Sequence, residues 1–346
     1  MKNSKGIAIV LALLAAVLYA LNAPASKVLL ATVEPMCMAA LLYLGAGVGV
    51  GILSLFNWGA RQDAEPLSKQ DVPYVLGMIV LDIVAPILLM VGINLGTASN
   101  ASLLGNFEIV ATTVVALAVF KEAVSRKLWF AIGLITLASI ILSFGGTESL
   151  SFSYGSLFVL AATVCWGFEN NCTRMLSSKD TYQIVVLKGI FSGLCALGIA
   201  LVMGEHLPAM RYIALAMLLG FVAYGLSIFF YVRAQRELGA AKTSAYYAVA
   251  PFVGAFLSFV LLQESLTPTY AAALLVMVAG TALVVVDTLQ RNHAHAHRHS
   301  FVHTHDGTTH EHTIEHSHDH THYVTNSKHA HTHTLSELEH EINHAS

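Results

Sequence analysis

Ten apolar stretches, each long enough to cross a bilayer, fill most of the chain between residues 7 and 287. A spanning helix needs about 20 mostly apolar residues. The first five predicted spans are residues 7–31, 35–57, 72–95, 99–120 and 128–144. The second five are residues 154–177, 182–203, 212–232, 243–262 and 270–286. Most connecting segments are short, so consecutive spans are expected to run antiparallel.

The second five spans repeat features of the first five. Residues 95–98 read Leu-Gly-Thr-Ala and residues 238–241 read Leu-Gly-Ala-Ala, and each run precedes a span that closes on an acidic residue, Glu122 or Glu264. Because five is odd, the second copy enters the membrane from the opposite side, which is typical of secondary transporters with a site between the halves. The sequence therefore predicts an all-α membrane protein of ten transmembrane helices in two inverted five-helix repeats.

Composition and charge support a membrane protein. Of the 346 residues, 55% are hydrophobic and 11% are charged, whereas roughly a quarter of residues are charged in soluble domains. The net charge of -3 argues against nucleic acid as a partner and leaves the lipid bilayer and a small-molecule substrate. Both a monomer and a homodimer remain open.

The basic residues at the predicted span ends indicate the orientation. Most of them fall on the side of the N-terminus, and only Lys27 and Arg211 fall on the other side. Cytoplasmic loops carry the excess of lysine and arginine. We therefore expect a multi-pass protein of a bacterial-type cytoplasmic (inner) membrane, with both termini in the cytoplasm.

Four charged residues lie within the predicted spans. Asp82 and Glu108 are near the centres of the third and fourth spans, Glu169 is past the middle of the sixth, and Lys188 is about two turns into the seventh. A charge at mid-bilayer costs at least a few kcal/mol, so each needs a water-filled cavity or a partner. These residues are candidates for binding a cationic group or relaying a proton, and structural ion pairs are the alternative.

Polar and aromatic side chains at membrane depth extend this candidate pathway. Packing and interhelical hydrogen bonds are the commoner roles for such residues, so both interpretations remain open for each. The candidates are Asn22, Asn106, Tyr19, Trp166, Tyr246 and Tyr247.

The chain resembles a known family at these motifs. Residues 95–102 and 238–245, together with Pro251 and Glu264, resemble the entries to helices 4 and 9 in the EamA type of the drug/metabolite transporter superfamily. The resemblance covers about residues 7–287. It implies a ten-helix bundle of two inverted repeats that usually exports small metabolites, amino acids or drugs. The chain departs from the pattern at Glu108, which stands at the place matching Pro251, and in its C-terminal tail.

Motifs of an enzyme are missing from the sequence. It contains no phosphate-cradling Gly-x-x-x-x-Gly-Lys-Ser/Thr loop. His206 is the sole histidine outside the tail, so no nucleophile–histidine pair is plausible. We expect a protein that is not an enzyme and requires no cofactor.

The tail carries 17 of the 18 histidines, mostly as His-x-His pairs. Its low hydrophobicity predicts a disordered cytoplasmic segment at residues 292–346, after repeats at residues 1–146 and 147–291. An extended backbone puts alternate side chains on one face, where imidazoles can chelate Ni²⁺, Zn²⁺, Co²⁺ or Cu²⁺. A solvated tail with incidental affinity and a pH sensor are the alternatives. The candidate ligands are His293, His295, His297, His299, His316, His318, His320, His322, His329, His331 and His333.

Three functions fit these observations. The leading hypothesis is a proton- or gradient-driven carrier that exports a small polar metabolite, amino acid or drug. The second is a divalent-metal exporter for nickel, cobalt or zinc whose tail collects the ion, although the predicted spans contain no histidine. The third is a metal-responsive membrane sensor without transport, against which the inverted repeat weighs.

Overall fold

The computed structural model describes residues 2–56, 67–121, 124–144, 153–176, 179–238, 243, 246–305 and 308–323, with only the backbone given beyond residue 289. The helices of the first repeat are α1 (Lys2–Ala20), α2 (Asn22–Leu29), α3 (Pro35–Phe56), α4 (Val72–Leu95), α5 (Ala98–Leu104), α6 (Phe107–Phe120) and α7 (Arg126–Ser143). A 3₁₀ turn, Lys69–Asp71, leads into α4.

The second repeat contains α8 (Tyr154–Met175), α9 (Thr181–Val202), α10 (Met210–Gly220), α11 (Ser227–Leu238), α12 (Ala250–Leu262) and α13 (Pro268–Leu289). Eight segments of the described chain are long and apolar enough to cross a membrane. The remaining two predicted spans correspond to α8 and α12. Helix α8 is less apolar because it carries Glu169 and neighbouring asparagines, and α12 has 13 residues.

Several predicted spans are interrupted rather than continuous. The first breaks between α1 and α2 beside Asn22, and the fourth breaks between α5 and α6 beside Glu108. The eighth contains a π-helical segment, Phe221–Leu226, between α10 and α11. Such breaks leave backbone groups without helical partners and in transporters they line the binding site. Hydropathy alone does not reveal them, because each span remains apolar enough on average to cross a membrane despite the few polar residues beside its break.

The two repeats pack against each other through equivalent helices. Helix α3 packs on α9, α4 packs on α8, and α1 packs on α11. Two helix ends match as well: Lys121 ends α6 and Gln263 ends α12, both in the left-handed conformation with φ of 55° and 53°. The described helices therefore form one compact unit over residues 1–287.

The repeats run in opposite directions. The Lys27 ammonium, near the end of α2, donates to the carbonyl oxygens of Ile93 and Gly96 at 2.7 and 2.6 Å, so the first and third spans end on the same side. Helix α11 runs antiparallel to α1. Ala15 contacts Ser227 and Asn22 contacts Tyr224, so the residue numbers increase along one segment while they decrease along the other. Leu95 and Leu238, which end α4 and α11 and begin the matching Leu-Gly motifs, consequently lie at opposite ends of the bundle.

Close packing of α3 on α9 depends on two glycines. A Cβ atom at Gly189 would lie 2.6 Å from the nitrogen and Cα of Gly47, and a Cβ at Gly47 would lie 2.8 Å from the Ile190 nitrogen. Real side chains do not approach backbone so closely, so only glycine fits at this crossing. Small residues allow such contacts between membrane helices.

Carboxylates of the second repeat cap helices of the first repeat. Glu205, after α9, accepts hydrogen bonds from the backbone N–H groups of Met36 and Cys37 at 3.1 and 2.7 Å. These N–H groups have no partner within α3 because they lie in its first turn. The Glu205 carboxylate therefore fixes the start of α3 on the opposite repeat.

Glu264, after α12, plays the same part for α5. Its two oxygens accept from the backbone N–H groups of Ala98 and Ser99 at 2.8 and 3.0 Å. A negative charge at a helix N-terminus also interacts favourably with the helix dipole. The acidic exit that the sequence shows after the ninth span is thus a helix cap for the fourth.

Residues 288–346 form a second unit. Within it the backbone of β1 (Gln290–His305) pairs antiparallel with β2 (Thr308–Tyr323), and the register pairs His293 with His320 and His297 with His316. The alternating His-x-His pattern suits an extended strand because its period is two. The disorder expected for residues 292–346 stays a prediction. The last three candidate ligands, His329, His331 and His333, lie outside the described residues. Metal binding by the tail stays a prediction.

Candidate functional site

Three charged side chains meet inside the helical bundle. The Lys188 ammonium on α9 lies 3.1 Å from Oδ2 of Asp82 on α4 and 3.2 Å from Oε1 of Glu169 on α8. The side chains of Asp82 and Glu169 are 0% and 4% exposed, and Lys188 is 17% exposed. A buried charge of this kind requires a partner. The ion pairs therefore join α4 of the first repeat to α8 and α9 of the second.

The two carboxylate oxygens of Asp82 have different partners. Its Oδ1 atom accepts a hydrogen bond from the Tyr43 hydroxyl at 2.8 Å. Its Oδ2 atom is buried and, among the described residues, receives no hydrogen bond, because the Lys188 ammonium is close enough for an ion pair but not aligned as a donor. One turn later Pro86 lacks an N–H group, which frees the Asp82 carbonyl oxygen of its helical partner. The site thus has spare acceptor capacity around Asp82.

Glu108 forms a second polar centre next to the first. Its Oε1 atom accepts from Asn170 Nδ2 at 2.7 Å, and the same amide donates to the Thr112 hydroxyl at 3.1 Å. Glu108 is partly accessible, and the structure shows no ion pair to it from any described cation. It still interacts electrostatically with Lys188. Among the described residues, Glu108 is therefore the carboxyl group of the network that forms no ion pair.

Tyrosine rings pack together between these carboxylates and α1. Tyr224, in the π-helical segment, lies 5.8 Å from Tyr19 and 5.6 Å from Tyr43, measured between ring centroids. Tyr247 lies 5.9 Å from Tyr19. The Tyr224 hydroxyl accepts from Asn22 Nδ2 at 2.9 Å. Aromatic faces next to carboxylates form an environment that attracts a cation.

Eight of the ten predicted pathway residues belong either to the charged network or to its aromatic side. Asp82, Glu108, Glu169 and Lys188 share the network, and Trp166 is buried beside it, near Tyr43. Tyr19, Asn22 and Tyr247 belong to the aromatic side of the site as described above.

Two candidates stand apart. Asn106 donates to the Leu103 carbonyl at 3.1 Å and meets Thr281 at 3.4 Å, which ties α5 to α13 rather than contacting the carboxylates. Tyr246 is half-buried, and no contact of its ring with the network is seen in the part of the chain that the structure describes. The roles of all ten candidates remain predictions.

Sequence reasoning missed several partners of the charged residues. Tyr43 and Thr112 supply hydroxyls to the network, and Thr173 donates to Glu169. Hydroxyl side chains are common in membrane helices and carry no signal of their own. The available clue is spacing, because Thr112 lies four residues after Glu108 and Thr173 four after Glu169, on the same helix faces.

Metal ligands do not gather among the residues whose side chains the structure describes, all of which precede residue 290. These residues contain no group of three or more His, Cys, Asp or Glu side chains arranged to hold an ion. Asp82 and Glu169, which the metal-export hypothesis would use, instead share the Lys188 ammonium.

Known proteins resemble this chain in both sequence and fold. Residues 6–144 and 153–286 each match the EamA-like transporter family. An uncharacterized transporter of Methanothermobacter thermautotrophicus is 24% identical over 287 residues, which cover 78% of this chain and 83% of that protein. A protein of known crystal structure aligns with a TM-score of 0.58 at 15% identity, over 82% of this chain and 98% of its own. At that identity the likeness concerns the fold alone.

Proposed function

The chain belongs to the EamA-like transporter family, and on that premise we propose that it exports a small polar metabolite, amino acid or drug by secondary active transport. The observation that carries the proposal is the ion-paired network of Asp82, Lys188 and Glu169 at the contact between the repeats. Secondary transporters bind substrate at the repeat interface. Burial of these charges costs free energy, so a role in binding accounts for their presence.

Proton coupling is the second part of the proposal. Glu108 has no cation of its own among the described residues and accepts its hydrogen bond from a neutral amide. A carboxyl group in this position is suited to carry a proton in one direction while the substrate moves in the other. The charge bias of the loops supports an inner-membrane protein with both termini in the cytoplasm.

The test is solute-driven proton movement in inside-out membrane vesicles that contain the protein. A pH-sensitive dye reports proton release as amino acids, amines, sugars and cationic drugs are added one at a time. We expect at least one solute to dissipate the proton gradient with wild-type protein, and Glu108→Gln to lose this response.

Glu237→Gln is the matched control, because Glu237 is an exposed carboxylate on α11. It should respond as wild type does. An unchanged response in Glu108→Gln would contradict the proton-carrying role. Solute transport without any proton movement would remove coupling and leave the transport proposal standing.

A further inference from the structure

Lys188 occupies a position between two carboxylates that suits a small cation. Its ammonium is 3.1 Å from Asp82 and 3.2 Å from Glu169, and it enters from α9 at the end of a long flexible side chain. The lysine ammonium is a compact charge with three rotatable donors. A primary ammonium group on a free molecule has the same charge, size and donors.

The fit of Lys188 is incomplete. Oδ2 of Asp82 is buried and receives no hydrogen bond among the described residues, although the ammonium is nearby. An ion pair without an aligned hydrogen bond stabilises this oxygen less than a charge-assisted hydrogen bond does. A ligand ammonium that is not tethered to α9 is free to align with this oxygen.

Charge balance points in the same direction. Asp82, Glu169 and Glu108 interact with one another and with a single described cation, Lys188. Three carboxyl groups share this one described ammonium, so the centre carries excess negative charge whenever two or more of them are ionised. The tyrosine faces of Tyr43 and Tyr224 border it, and such faces also favour a cation.

From these observations we infer that the Asp82–Glu169 carboxylate pair is an ammonium-binding site, which Lys188 fills in this conformation and which the substrate's primary ammonium fills during transport. Displacing Lys188 removes its ion pair between α9 and α4 and leaves the other contacts of these helices, such as the hydrogen bond from Ser192 to the Ile79 carbonyl oxygen, so substrate binding weakens the attachment of the two repeats. The inference rests on the proposed function and adds the substrate class, molecules with a primary ammonium group.

The test removes the tethered ammonium and supplies it in solution. Lys188→Ala deletes the part of the side chain that corresponds to n-propylammonium. Thermal unfolding of the purified full-length variant in detergent is measured with increasing n-propylammonium, and with n-propanol as the uncharged control. We expect saturable stabilisation by n-propylammonium, with binding about tenfold or more tighter than to wild type, since a charge-assisted hydrogen bond contributes about 1.5–3 kcal/mol.

Lys188→Met is the matched control, because it fills the same space without charge and should gain no affinity. If Lys188→Ala does not fold alone, Lys188→Ala/Glu169→Gln removes one uncompensated charge and keeps Asp82 as the acceptor. The inference is overturned if n-propylammonium and n-propanol stabilise the variant equally, whether the single or the double variant is the one that folds.

A transport assay separates this failure from that of the proposed function. In proteoliposomes, wild-type protein should move solutes that carry a primary ammonium and reject their N-acetylated counterparts. Transport confined to solutes without an ammonium overturns the substrate class but keeps the transporter. Absence of any transport, with n-propylammonium still bound by Lys188→Ala, contradicts the proposed function instead.

Discussion

Replacing Glu205 by alanine is expected to release the first turn of α3 at one end of the bundle. The carboxylate accepts from the backbone N–H groups of Met36 and Cys37 at 3.1 and 2.7 Å and is only partly exposed. Both donors belong to the helix N-terminus, so no helical acceptor replaces the lost oxygens. The variant therefore tests whether the cross-repeat caps hold this end closed.

The size of the effect follows from the two hydrogen bonds. A hydrogen bond to a charged group contributes about 1.5–3 kcal/mol, whereas loss of a helix N-cap costs about 0.5–2 kcal/mol because water partly replaces it. For a half-exposed carboxylate with two donors we take about 2 kcal/mol. That value corresponds to a roughly 30-fold larger population of the locally opened state.

Cys37 reports this opening directly. Its side chain is fully buried, and the other three cysteines are also free thiols. In a background with Cys165, Cys172 and Cys195 changed to alanine, a maleimide labels Cys37 only when the first turn of α3 opens. Glu205→Ala should raise the labelling rate roughly 30-fold if opening and closing are fast relative to labelling.

Glu264→Ala is the control, because it removes an equivalent cap from α5 and leaves the cap of α3 intact. Its labelling rate should stay close to that of the parent. If folded Glu205→Ala labels no faster than the parent, the carboxylate is not what holds this end of α3, and the reasoning fails.

Two other features of the structure give predictions. Gly189→Ala should destabilise the protein by about 1–3 kcal/mol, since its Cβ would meet the Gly47 backbone. Gly198→Ala on the same helix is the control, because its Cβ meets nothing within 4 Å and the change should be neutral or mildly stabilising. Unfolding in mixed detergent compares the two variants, and equal stabilities would refute the close crossing of α3 and α9. Deleting residues 293–346 should leave the helical unit folded, and the isolated tail should bind Ni²⁺ or Zn²⁺ more weakly as the pH falls through about 6.5, because protons compete for imidazole nitrogen. Calorimetry without binding at neutral pH would remove the chelation hypothesis.

The pattern of apolar residues is sufficient to predict the ten spans and the repeat, because both are set by local composition and length. It is also sufficient to single out Asp82, Glu169 and Lys188, since charges at membrane depth are rare and need partners. How these three charges pair depends on contacts between separate spans. The sequence therefore does not decide whether the three residues bind substrate or form structural ion pairs.

Other features depend on long-range geometry that spacing does not reveal. In the sequence Lys27 is only a basic residue near a span end, yet in the structure its ammonium caps the end of α4 through three carbonyl oxygens. Glu205 gives no sequence signal at all, because its partners lie 168 and 169 residues away. The break beside Glu108 is equally hidden, since residues 98–119 are apolar enough on average to be read as one continuous span.

Solute exchange in proteoliposomes tests most directly the claim that the central network carries the substrate. The assay measures uptake of a radiolabelled solute, chosen from those that wild type transports, against the same unlabelled solute inside and at equal pH on both sides. We predict that Asp82→Asn abolishes exchange, whereas Glu108→Gln keeps exchange but loses uptake driven by a pH gradient. Exchange at the wild-type rate by correctly folded Asp82→Asn would contradict the account.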